Sequence, residues 1–85
     1  MNIELKDPSY GPVYAQISQQ IENQIRNGQI TAGEILASPA ALSQKLSVDR
    51  GEIQRAYFEL EHKGVLTRET AKDFLGKTKT RYRVR

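Results

Sequence analysis

Apolar residues recur along this chain first at helical and then at strand spacing. Val13, Ile17, Ile21 and Ile25 lie four apart with Tyr14 beside them, which predicts an amphipathic helix over about residues 12–27 with a Gln-, Asn- and Glu-rich outer face. Pro12 suits the first helical position because its missing N–H would be unpaired there, and Gly28 suits the end. A connector, QITAGEILA, follows, in which Ile30, Ile35 and Leu36 are candidates for burial and a single β-bridge is expected near Ile35. Ser38 as N-cap and Pro39 at the first position open a second helix of about two turns, residues 38–46, with Ala41, Leu42 and Leu46 inward.

After a Ser47-Val48 turn, Asp49 with Glu52 three residues on reads as a capping box that starts a third helix, about 49–63. Ile53, Ala56, Tyr57 and Leu60 make its core face, and Gly64 stops it. Val65 to Glu69 then reads as a strand, a loop covers about Ala71 to Gly76, and KTKTRYRVR alternates strictly. That alternation sets Lys77, Lys79, Arg81, Arg83 and Arg85 on one face and Thr78, Thr80, Tyr82 and Val84 on the other. Residues 1–9 are irregular or a short extended piece able to fold back onto the domain.

The fold class that follows is mainly α with a small β-hairpin, and 85 residues make one domain, 1–85, with a core just sufficient for its size. The absence of cysteine excludes disulfides and thiolate metal sites. No apolar run approaches the roughly 20 residues of a membrane span, and the N-terminus lacks a signal-peptide pattern, so the expected setting is the cytoplasm, beside the nucleoid. The net charge of +3 is modest, but its distribution is not: residues 76–85 hold five basic residues and no acid. A polyanionic partner fits that asymmetry. His62 is the only histidine, and no phosphate loop, nucleophile elbow or zinc spacing is present, so neither an enzyme nor a metal or cofactor site is expected.

PVYAQISQQIENQIRNGQI, AGEILAS and LSQKLSVDRGEIQRAYFELEHKGVL together resemble the opening helix, the P-G-x-x-L-P-S connector and the L-A-x-x-L-G-V-S-R-x-T-V-R-x-A-L segment of the GntR family of bacterial transcription regulators. The resemblance implies a winged helix-turn-helix, three helices plus a wing over about 65–85, that binds double-stranded DNA. It also implies departures. Ala40 stands where the family's second helix usually carries a DNA-holding Arg, Gln54 where a second Arg is common, and Ala32 and Ala37 replace connector prolines. The family's effector-binding or oligomerisation domain has no counterpart, so a stand-alone domain without a small-molecule effector site is expected.

Arg50, at the start of the third helix, is the candidate reader of guanine, and Gln54, one turn on, of adenine. Arg55 is a candidate phosphate contact, Gly51 leaves room for backbone approach, and Ser38 lies at the start of the second helix. Lys77, Lys79, Arg81 and Arg83 are candidate backbone contacts of the wing, against the alternative that they merely protect an edge strand. The expected function is a sequence-specific regulator, a repressor, working as a homodimer or with a partner protein. The alternatives are an architectural or accessory DNA-binding protein of a phage, plasmid or recombination system, and a protein-interaction module that has lost DNA binding, for which Ala40, Glu52 and Phe58 speak.

Overall fold

In a computed structural model that describes residues 1–85, a short 3-10 turn (Pro8–Tyr10) precedes α1 (Val13–Arg26), α2 (Pro39–Leu46), α3 (Arg50–His62) and an antiparallel hairpin of β1 (Leu66–Lys72) and β2 (Thr78–Val84). This is a winged helix: three helices around one core, with the hairpin leaving it as the wing. Ile17 and Ile21 of α1 meet Ile53, Ala56, Tyr57 and Leu60 of α3, and Leu42, Leu36 and Ile30 close the sides. Leu66 and Val84, opposite each other in the strand register, anchor the base of the wing in the same core.

The helix ends follow capping chemistry with two corrections. Ser38 Oγ accepts from the Ala41 N–H at 3.1 Å, as an N-cap should. Pro12 is the N-cap of α1 rather than its first residue, because its ψ of 154° is extended. The capping box of α3 does not form. Asp49 makes no side-chain cap, and Glu52 Oε2 instead accepts from the Tyr14 N–H at 3.1 Å, giving the N-terminus of α1 an acceptor that Pro12 cannot supply. Glu52 thereby couples α1 to α3.

Ser47, in the turn between α2 and α3, is the one non-glycine residue with positive φ, 55°, at a position where the GntR pattern has glycine. A left-handed residue carrying a Cβ is strained, and the Ser43 hydroxyl, bonded to the Val48 carbonyl, holds the turn in place.

Two expected core residues lie outside it. Ala41 is exposed, and Ile35 is 43% exposed. Ile35 does make the expected bridge, to Arg83, and that antiparallel pairing is what turns its side chain away from the core. β1 runs to Lys72, three residues beyond the expected end, because Thr70, Ala71 and Lys72 find partners in Thr80, Lys79 and Thr78.

The N-terminal segment folds back through a ladder of glutamines. Gln16, Gln20 and Gln24 each present an amide that accepts from one backbone N–H and donates to the carbonyl of the same residue: Lys6, Glu4 and Asn2 respectively. Four helical residues rise about 6.0 Å and two extended residues about 6.6 Å, so side chains at i, i+4 and i+8 match alternate residues of a strand running the other way. The ladder lays Ile3 onto the core at 9% exposure.

Candidate nucleic-acid interface

The side of α3 opposite the core forms one wall of an open groove, and the wing forms the other. Its lining is Ser38, Pro39 and Ala40 from the start of α2, Arg50, Gln54, Arg55 and Phe58 from α3, and Arg68, Thr80 and Tyr82 from the wing. The helical period accounts for the first wall. Ile53, Ala56, Tyr57 and Leu60 face inward, so Arg50, Gln54 and Phe58, spaced four apart, share the outer face. The strand period accounts for the second, since residues opposite each other in the register share a face: Arg68 with Tyr82, and Thr70 with Thr80.

Three arginines enter this lining and no carboxylate does. Arg50 is exposed at the first position of α3 and belongs to none of the five ion pairs of the chain. Arg55 lies over the Tyr14 ring with its guanidinium carbon 3.9 Å from the centroid, a cation-π contact that restrains the side chain without neutralising it. Arg68 makes one long contact, 3.6 Å to Glu61, and remains half exposed. Gln54 is exposed between them. Beneath the groove, Tyr57 donates its hydroxyl to the Ala37 carbonyl at 2.7 Å and packs edge-on against Tyr82 with centroids 4.9 Å apart. Burial raises the Tyr57 phenol above its ordinary pKa and keeps it a neutral donor.

The wing's basic alternation is divided between uses. Lys77 and Lys79 are exposed near the tip. Arg81 Nε reaches Glu69 Oε1 at 3.1 Å and Arg83 Nε reaches Glu69 Oε2 at 2.9 Å, so one carboxylate bridges both arginines. Arg83 also donates to the Gly33 carbonyl at 2.9 Å, tying wing to connector. The bond from Arg83 holds the Glu69 carboxyl below its usual range, and the same bond raises Arg83. The structure therefore gathers Ser38, Arg50, Gln54 and Arg55 at one groove, with Gly51 exposed on the first turn of α3, and sets Lys79, Arg81 and Arg83 on the opposite face of the wing.

Sequence reasoning missed Arg68, the wing's cation in the groove. The signal was present, because Leu66, Arg68, Thr70 and Lys72 continue the two-residue alternation from a buried Leu66. Phe58 is 52% exposed at the groove edge, with its ring edge-on to His62 at 4.7 Å. No three His, Cys, Asp or Glu side chains cluster to hold a metal, and no helix is long and apolar enough to cross a membrane.

The profile of "Bacterial regulatory proteins, gntR family" matches residues 13–74. Among curated proteins the chain is similar to the HTH-type transcriptional regulator GgaR of Escherichia coli K12, 35% identical over 57 residues, and to the HTH-type transcriptional repressor NagR of Bacillus subtilis, 31% identical over 68 residues. Those alignments cover 67% and 80% of this chain but 23% and 27% of the relatives, so the chain spans about a quarter of their length. Among solved structures it is similar to YtrA from Sulfolobus acidocaldarius, a GntR-family transcription factor, with a TM-score of 0.78, 28% identity, and coverage of 99% of this chain and 78% of that one. With the profile matched over most of its length and the three-helix-and-wing fold shared, the chain belongs to the GntR family of bacterial regulatory proteins.

Proposed function

We propose that this domain binds double-stranded DNA with sequence preference and serves as a transcriptional regulator, acting as a repressor by occupying a promoter. The observation that carries the reading is the groove between α3 and the wing, which holds Arg50, Arg55 and Arg68 and no acid. In this reading α3 enters the major groove, Arg50 addresses a guanine through O6 and N7, and Gln54 addresses an adenine. Arg55 and Arg68 meet phosphates, Ser38 lies beside the backbone at the start of α2, and Gly51 lets the first turn of α3 approach closely. Lys72, on the face of Arg68, extends the phosphate track along the wing, while Lys79 shares the opposite face with Arg81 and Arg83, so that it and Lys77 meet phosphates only at the tip.

The repressor assignment draws support from the similarity to NagR, a transcriptional repressor. One domain of this size spans few base pairs, so useful specificity calls for a second copy or a partner protein. Selection from a pool of random duplexes tests the reading. The expected result is an enriched motif containing a guanine whose preference disappears in Arg50→Ala. Recovery of no motif, or of the same motif by Arg50→Ala, contradicts it.

A further inference from the structure

Phe74, at the tip of the wing, is the most exposed large apolar side chain of the molecule at 96%, and its neighbour Leu75 is 68% exposed. They are held out by a built turn. Asp73 Oδ1 accepts from the Leu75 N–H at 2.9 Å and from the Lys77 N–H at 3.0 Å, and the Asp73 N–H donates to the Lys77 carbonyl at 2.9 Å. Gly76 completes the reversal at a φ of 81°, which a side chain would strain. Exposing both residues serves no purpose in the fold, since neither touches the core.

The surroundings specify what the tip meets. Lys72, Lys77 and Lys79 flank it, and the one acid among them, Asp73, is turned onto the loop's own N–H groups. Two such tips repel each other, whereas a duplex offers phosphates to the lysines and apolar base faces to Phe74 and Leu75. Reach also fits. Six residues of β1 beyond Leu66 extend the tip about 20 Å from the core, farther than the roughly 12 Å width of a major groove. A wing leaving α3 in that groove passes over the phosphate ridge and delivers its tip to the neighbouring minor groove.

We propose that Phe74 and Leu75 form a wedge that inserts between base pairs from the minor-groove side and kinks the duplex. The inference rests on the DNA-binding reading above and adds a deformation to it. Inserted apolar side chains unstack a step and bend DNA by roughly 20–90°, and flexible pyrimidine–purine steps yield most readily. Beyond phosphate attraction, the domain then has a preference for TA-containing sites that no hydrogen bond reads.

The test uses short duplexes rich in TA steps, with 2-aminopurine replacing adenines and a donor and acceptor dye at the two ends. Wild type and Phe74→Ala/Leu75→Ala are compared at saturation in low salt, where both substitutions are at exposed positions and leave the fold intact. The expected result is a rise in 2-aminopurine emission and a shortened end-to-end distance with wild type, both lost in the double variant. A saturated but straight, dark duplex with wild type, or equal bending by the double variant, overturns the wedge while leaving DNA binding standing. Failure of wild type to bind any duplex overturns the DNA-binding reading and the wedge together.

Discussion

Arg68→Ala and Arg83→Ala remove the same charge from the same hairpin, yet the structure separates them. Arg68 lies in the groove with one long contact to Glu61 at 3.6 Å. Arg83 faces the other way, with Nε on Glu69 and Nη1 on the Gly33 carbonyl, both at 2.9 Å. A cation that neutralises one phosphate contributes about 0.9 to the slope of log K against log salt. Over a fourfold change, from about 50 to about 200 mM, that single contact is about 3.5-fold in affinity. Arg68→Ala is therefore expected to flatten the slope by about 0.9. Arg83→Ala should leave the slope nearly unchanged and instead loosen the wing, which loses its tie to the connector. Anisotropy titrations of a labelled duplex across a salt series read the slopes, and amide exchange in β2 reads the loosening. Equal flattening by the two variants, or a larger one in Arg83→Ala, refutes the division of the wing into a binding and a structural face.

Four further outcomes follow from individual contacts. Tyr57→Phe removes a buried hydroxyl from the Ala37 carbonyl and is expected to cost about 1 kcal/mol in urea denaturation. Gln16 donates to the carbonyls of Lys6, Asp7 and Gly11, so Gln16→Glu, which puts a carboxylate among acceptors, should destabilise by about 1–3 kcal/mol and release the N-terminal segment to hydrogen exchange. Ser47→Gly relieves the left-handed strain and should raise stability by up to about 1 kcal/mol, visible as a later denaturation midpoint. Gly51→Ala should gain up to about 1 kcal/mol of helix propensity, once the Asp49 carboxylate, 3.1 Å from the added Cβ, swings aside; duplex affinity should nonetheless fall, and an unchanged affinity removes Gly51 from the interface.

The helices and their inward faces were legible because each repeats one spacing: Ile17 and Ile21 on α1, and Ile53, Ala56, Tyr57 and Leu60 on α3. The hairpin was legible from the alternation before Arg85. What escaped depended on partners distant in sequence. Glu52 looked like a local cap and is a tertiary acceptor, because Tyr14, 38 residues away, brings an unpaired N–H to it. Arg81 and Arg83 looked free because the strand pattern does not disclose that the register sets Glu69 opposite Arg81. Arg68 lay within the expected strand, but only the pairing that sets Tyr82 and Thr80 opposite Arg68 and Thr70 makes that face a second wall. The glutamine ladder was readable in the spacing of Gln16, Gln20 and Gln24, but polar residues on a helix surface ordinarily meet water. Only the returning N-terminal segment gives that spacing meaning.

Amide and arginine side-chain NMR shifts of the domain, followed while a duplex is titrated in, test most directly whether the groove between α3 and the wing is the DNA-binding surface. The expected map has its largest changes at Ser38, Arg50, Gln54, Arg68 and the wing tip, with the glutamine face of α1 unmoved. Changes centred on Gln16, Gln20 and Gln24, or a map in which Arg50 and Arg68 do not respond to saturating duplex, contradict it.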